Sequence, residues 1–498
     1  MAASFRFEHR VEFLPEDAET ILRGVPAAPG VFALRGERES DEPYLTRGAD
    51  LRRRMRRLLA SPDAVDEQGR PVLSKRLNLR DRVRWIEWTR TGSEFESTLV
   101  LYKATRAAYG AEQARKRLRL HPPYVVRITA THEHPRAYVT NRLSRKSLAE
   151  SFGPFPSRAA AERYCDAMLD LFLLRRCHED LEVHPEHPGC AYGEMKKCMA
   201  PCKAACTAEE YANESARVLA FLRTRGESML AELAQKREAA SEAMDFEGAA
   251  SLHKRWEQVK AAVTISDEIV GPIANLRALV LQEAAPWQPA PDEPVQRDEA
   301  AIFLFQSGCI HGPERLSTLG VRAVREQTAV GSSLFAQPLM LTAVPEDTPS
   351  ANPEATLPEV PQVPSAAMLS PEERARALLA KLEEDAHNTD EPDPQERGDF
   401  LALFRRWYYR PAKQRAGEPI LPNPDGSWPV RRVLNAAARV VLGPPKEMEP
   451  VQREAAAAMK TKVIHPGREG IEKVVPVLPK RSRTRKAIVP NDVMEPSS

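Results

Sequence analysis

At 498 residues the chain is too long for one hydrophobic core, so several domains are expected. No run of about 18 apolar residues occurs, which excludes a membrane-spanning helix, and the first twenty residues lack the basic start and apolar stretch of a secretory signal. The expected compartment is the cytoplasm, where thiols stay reduced, so a structural disulfide is the least expected use of the seven cysteines.

The net charge of +2 says little by itself, but the arginines are unevenly placed. A first segment, 24–120, reads as a small α/β unit. "PGVFALRG" and "EPYLTRG" are short strands either side of the turn-rich "GERESDE", and "RVRWIEWTRT" is another strand. Between them "TRGADLRRRMRRLL" forms a helix carrying Arg52, Arg53, Arg54, Arg56 and Arg57, preceded by Arg47. A further helix runs from Ser93 onward. The runs "LSKRLNLRDRVRW" and "EQARKRLRL" repeat the basic bias. One such run reads as a solvated helix face, whereas three in one domain point to polyanion binding.

Residues 121–210 bring strand-like "PPYVVRITA" and "RAYVTNRL", then "SFGPFPS", a helix over 157–174 and the cysteine region. Cys165 on that helix reads as a buried thiol. Residues 208–265 are helical throughout, and 211–265 form a hairpin whose second helix has Asp245 as N-cap candidate. A β-containing region, 266–343, holds two strands around the Gly turn of "EAAIFLFQSGCIHGPERLSTL"; Cys309 beside that turn indicates no chemistry. Residues 344–371 are a Pro-rich linker. A helical region, 372–445, begins with Ser370 as N-cap and Pro371 at the first helical position. The basic tail, 446–498, is expected to be disordered. No internal repeats are present. The fold class is therefore multidomain α+β.

Cys177, Cys190, Cys198 and Cys202 follow the spacing C-x12-C-x7-C-x3-C. Zinc ribbons bring two close-spaced pairs, and here only the last pair is close. Iron–sulfur clusters accept more varied spacing, because the inorganic core spans the gap between thiolates. Cys206 repeats the last spacing, and His178, His184 and His187 leave a mixed zinc site open, as they do plain reduced thiols.

Taken in order, these stretches resemble the UvrC family, the nuclease subunit of bacterial nucleotide excision repair. "PGVF" with "YLTRGADLRRRM" resembles the GIY-YIG nuclease core; "PPYVVRIT", "HPRAYVTNRL" and "SFGPFPS" resemble the segment that follows it. The cysteine array ending "KKCMAPC" resembles the family's cluster region, which implies a 4Fe–4S cluster on Cys177, Cys190, Cys198 and Cys202. "EAMDFEGAASLHKRWEQV" resembles the UVR motif, which implies docking of a UvrB-like subunit through Met244, Phe246, Ala249, Ala250, Leu252 and Trp256. The resemblance covers roughly 24–265 and continues more weakly through "AAIFLFQSGCIHG" and "FLALFRRWYY".

Two departures qualify it. The stretch after Tyr409 is too short for the family's RNase H-like second nuclease, and no helix-hairpin-helix signature follows. The GIY-YIG site is also eroded. Tyr44 matches the second tyrosine, Arg54 the helical arginine, and Arg47 takes a lysine's place; these are the catalytic remnants. Phe32 replaces the first tyrosine and Thr46 a glycine, while the family's asparagine falls near Gln113. Leu101 stands where the metal-binding glutamate is expected, and leucine cannot ligate magnesium; Glu94 and Glu96 lie more than a turn away. Mg2+ is implied only if the site is active. The reading is a DNA-binding repair factor with an impaired nuclease, held by Arg47 and the five helix arginines. Its alternatives are an active single-incision endonuclease working with UvrB, and a protein–protein adaptor that ignores DNA.

Overall fold

The computed structural model describes residues 5–38, 41–59, 77–178, 181–286, 299–318, 321 and 369–443, with strands at 462–466 and 472–476. The chain divides into two units, residues 1–322 with 351–443, and residues 323–350 with 444–498.

In the first unit, strands β1 (His9–Glu12), β2 (Gly30–Arg35), β3 (Tyr44–Gly48) and β4 (Trp85–Arg90) form an antiparallel sheet ordered β1-β4-β2-β3. Gly30 is needed there, since a Cβ would sit 2.4 Å from the Thr89 carbonyl on the neighbouring strand. Helix α1 (Ala18–Gly24) and helix α2 (Leu51–Leu59) cover one face. In α2, Leu51, Met55, Leu58 and Leu59 recur at helical spacing and are buried against Phe13, Phe32 and Ile86. That apolar stripe rotates the intervening arginines outward. Helix α3 (Glu94–Leu118) opens on the Ser93 N-cap and is kinked at Gly110, where φ is +81°.

Strands β5 (Tyr124–Ile128), β6 (Ala137–Thr140) and β7 (Ser151–Phe155) make a second sheet, ordered β6-β5-β7-β8 and completed by the two-residue β8 (Gly271–Pro272). Helix α4 (Arg158–Leu169) packs on it and ends earlier than the expected 174. A short helix, α5 (Ala191–Glu194), lies within the cysteine region. Helices α6 (Ala208–Arg223), α7 (Glu227–Glu242) and α8 (Phe246–Val263) follow, with α7 and α8 antiparallel neighbours. Asp245 caps α8 by accepting from the Gly248 N–H at 2.9 Å, as its position predicts.

A third sheet, β11-β10-β9-β12, joins β9 (Ala278–Glu283), β10 (Glu299–Gln306), β11 (Cys309–Ser317) and the distant β12 (Glu418–Ile420). Helices α9 (Pro371–Asn388), α10 (Pro394–Tyr408) and α11 (Val430–Leu442) accompany it. The capping box at Ser370 and Glu373 starts α9 as its sequence predicts. The segments 266–343 and 372–445, separate in the sequence reading, thus share one sheet and one core in which Leu279 and Ile302 meet Leu382 and Leu434. The physical reason is that neither the sheet nor the helices can bury an apolar face alone.

In the second unit β13 (Lys462–Pro466) pairs antiparallel with β14 (Glu472–Pro476), inside the tail expected to be disordered. The Pro-rich linker lies outside the described residues up to 368. Among the described residues, no helix is long and apolar enough to cross a membrane.

Candidate nucleic-acid interface and thiol centre

The GIY-YIG-like corner is assembled where β3 meets α3. Tyr44 starts β3, opposite Leu34, half-buried, with its ring 6.4 Å from that of Phe32. Phe32 is fully buried, so the missing hydroxyl has been replaced by core packing. Arg54 lies over the backbone of Gly48, where an added Cβ would be 3.5 Å from its own Cβ. Arg47 reaches across to α3, donating to Thr98 Oγ1 at 3.1 Å and to Glu94 Oε1 at 3.2 Å. Leu101 sits half-buried on α3, and Gln113 is exposed beyond the Gly110 kink.

The two carboxylates at the head of α3 have opposite environments. Glu94 is half-exposed and takes both Arg410 nitrogens, Nη1 on Oε2 at 2.6 Å and Nη2 on Oε1 at 3.1 Å. Hydrogen bonding from Arg410, then the charges of Arg410 and Arg47, hold its carboxyl below the usual carboxylate range. Glu96 is buried and accepts the Gly92 N–H at 2.7 Å; burial pushes its carboxyl up to about 7. Neither is placed to stand in for a glutamate at 101. One is saturated by arginines and the other is turned inward.

The three basic runs differ in how far their charges are engaged within the chain. On α2, Arg53, Arg56 and Arg57 are exposed, while Arg52 donates to the Val25 carbonyl at 2.6 Å. In the second run Arg80 donates to the Leu59 carbonyl at 3.1 Å and Arg84 pairs with Glu12 at 2.6 Å. In the third, Arg115 faces buried Asp399 at 3.6 Å, Lys116 pairs with Glu112 at 2.9 Å, and Arg117 covers the Tyr109 ring at 3.8 Å. Part of those two runs is thus engaged within the chain, while Arg82 and Arg119 are exposed. A charge run does not reveal its partners, which is why the sequence overstates the surface they offer.

The thiol region is held by polar contacts more than by apolar packing. Cys177 follows a bridge between Arg136 and Arg175; Arg136 donates to the Cys177 carbonyl at 3.2 Å, and Arg175 reaches its Sγ at 3.7 Å. Cys190 precedes α5. Cys198 is buried and its Sγ accepts the Ala200 N–H at 3.3 Å. Cys202 is buried in a short turn between Ala200 and Ala204, both left-handed at φ of 53° and 52°. Burial raises the Cys198 thiol to about 11, and the thiols of Cys190, Cys177 and Cys202 each add to that rise, so all four lie within electrostatic reach. Among the described residues no three His, Cys, Asp or Glu side chains gather as a site for one metal ion. The histidines point elsewhere: His184 Nδ1 accepts from the Glu186 N–H, His187 Nδ1 from the Gly189 N–H, and His178 meets Arg136. Cys165, by contrast, is buried in α4 with its thiol pushed up to about 12 by burial.

On the hairpin, Met244 and Phe246 at the tip are 78% and 72% exposed. Ala249 is half-buried, Ala250 exposed, and Leu252 and Trp256 are half-buried against the chain's own core. Trp256 also stacks on His253 and lies under Lys260. The base of the hairpin is thus docked internally through Met229, Leu233, Val259 and Ala262, and the tip is free of apolar cover.

Strands β5 to β7, helix α4 and the thiol-rich loop after it fall within one stretch that matches a known family. The model of the UvrC/Cho excinuclease middle domain matches residues 124–221. The UvrABC system protein C of Idiomarina loihiensis is 30% identical over 237 residues, 47% of this chain and 36% of the relative. Those of Methylococcus capsulatus and Pseudoalteromonas translucida are 29% and 28% identical over 237 and 273 residues, covering 36% and 42% of their lengths. No solved structure matches the chain. The matched part of the chain is thus similar to UvrABC system protein C, and the chain spans less than half the length of these relatives.

Proposed function

We propose that the chain is a DNA-binding factor of nucleotide excision repair whose GIY-YIG-type corner holds DNA without cutting it. The carrying observation is the set of carboxylates on α3. Phosphodiester hydrolysis of this kind needs an anchored divalent ion to stabilise charge at the phosphate, and a hard ion requires oxygen ligands. Leu101 supplies none, Glu94 is engaged by Arg410 and Arg47, and Glu96 is buried. What remains suits binding. The exposed Arg53, Arg56 and Arg57 of α2 neutralise phosphates, and Tyr44 and Arg54 are retained as parts of the fold and of that surface.

Cys177, Cys190, Cys198 and Cys202 would hold a 4Fe–4S cluster, which supplies a rigid cross-link to a loop with little apolar core. The exposed tip of the α7–α8 hairpin would meet a UvrB-type partner, with Met244 and Phe246 as the apolar contacts. Replacing both by alanine should abolish that association and leave the melting temperature unchanged.

DNA binding is tested by titrating labelled duplex over a chloride series. Each phosphate neutralised contributes about −0.9 to the slope of log affinity against log salt, so a steep fall is expected. A flat response would favour the adaptor reading. The second reading, a single-incision endonuclease, draws on the half-buried Tyr44 and on Arg54 beside Gly48.

A further inference from the structure

Arg410 belongs to no motif, yet it ends the tightest polar constellation at the GIY-YIG-like corner. It stands just beyond α10, 316 residues from Glu94, and grips that carboxylate as a two-pronged fork. Arg47 approaches the same carboxylate from β3. Two guanidinium groups on one carboxylate leave a positive charge uncompensated. Arg406 adds to it nearby: its guanidinium is anchored on the carbonyls of Leu118 and Arg119 at 3.1 and 2.6 Å. The neighbouring Arg405, Arg410 and Arg47 work with burial to lower its pKa.

Arg410 and Arg406 line a small cavity with Glu94, and two larger ones open on the other sides of that carboxylate. A cavity of about 360 Å³ reaches from Glu94 to Gly48 and Ala49, at the start of the arginine helix α2. A second, of about 720 Å³, reaches from Glu94 past Arg415 and Arg432. Both are walled by Gly92, Ser93 and Glu94, so Glu94 stands between them. The side chains of Glu94, Arg47 and Arg410 are 50%, 44% and 31% exposed. All three side chains are open to solvent, so an anion that matches the fork as well as the carboxylate does has access to it.

We propose that Arg410 and Arg47 together bind a backbone phosphate of duplex DNA, and that Glu94 is the resident anion which that phosphate displaces. A phosphodiester offers the same pair of oxygens that a carboxylate offers to an arginine fork. The two larger cavities reach from Gly48 and Ala49, just before α2, to residues 412–440, which with Arg410 would give the 372–445 segment a share in DNA binding. No covalent step is involved. This inference rests on the DNA-binding reading above.

The test uses the full chain, fluorescence anisotropy of a labelled duplex, and a chloride series. Arg410→Ala should weaken binding several-fold at low salt and make the log–log slope shallower by about one, the loss of one phosphate contact. Glu94→Gln should tighten binding about threefold or more, because it removes a like charge from the phosphate's place. That gain should shrink in the Arg410→Ala background. Arg410→Lys should keep the slope while losing part of the affinity, since the charge stays and the fork goes. If Arg410→Ala or Glu94→Gln leaves affinity and slope unchanged while alanines at Arg53, Arg56 and Arg57 weaken binding, the inference fails and the DNA-binding reading stands. If the unmodified chain shows no salt-dependent binding, the reading itself fails. Should Arg410→Ala not fold, Glu94→Gln decides alone.

Discussion

The GIY-YIG-like corner and the thiol loop carry function in opposite ways. The corner rests on a core of Phe13, Phe32, Met55, Ile86 and Trp88, with the half-buried Tyr44 packed against it and its arginines outside it. Each fully buried large apolar side chain of that kind stabilises by about 1.5–3 kcal/mol, so ligand positions can drift while the fold stays. The thiol loop has no such reserve. Between Cys190 and Cys206 the buried residues are Cys198, Pro201 and Cys202, and the chain turns through left-handed Lys196, Ala200 and Ala204. There the residues that would do chemistry are also those that hold the structure.

The largest effect should come from the loop. Cys198→Ser should remove iron and sulfide from anaerobically purified protein and expose residues 181–206 to limited proteolysis. Unmodified protein that is colourless and iron-free would erase the contrast. Next comes the junction between the corner and the third sheet. A Cβ at Gly92 would lie 2.3 Å from the Glu283 carbonyl and 2.5 Å from the Ala285 N, all backbone, so side-chain rotation cannot relieve it. Gly92→Ala should destabilise by about 3 kcal/mol in chemical denaturation, where Gly24→Ala, with open space around it, should change little.

A smaller and pH-dependent effect belongs to Glu96. Its folded pKa, about 7, lies above the ordinary value of 4.5, so the protonated form is the one the fold prefers. The stability it contributes is whole below about pH 4.5 and is lost as the pH rises through 7. Glu96→Gln should remove that slope and gain up to about 3 kcal/mol above pH 7, seen as a melting temperature that falls less between pH 5 and 8. An unchanged slope would mean that Glu96 is more solvated than its position implies.

The parts of the molecule that could be read from sequence are those whose cause is local. The apolar spacing of α2, the Asp245 and Ser370 caps and the Gly308 turn each involve neighbours along the chain. Strand β9 is not legible in "ALVLQ", because a short apolar run does not distinguish a strand from a buried helix. Strand β1 is four exposed residues, "HRVE", which become a strand only by pairing with β4. Strand β12 has three residues and finds β9 from more than a hundred positions away. The site divides the same way. Leu101, Phe32 and the four cysteines are visible as letters, whereas the arginines that occupy Glu94 are brought to it by tertiary folding alone.

The central claim is that the corner binds DNA and does not cut it. Its most direct test incubates a lesion-bearing duplex with the purified chain, a UvrB-type partner and magnesium, and scores nicks on a denaturing gel. The account predicts intact strands from protein that retards the same duplex. A nick that disappears with Tyr44→Phe would contradict it.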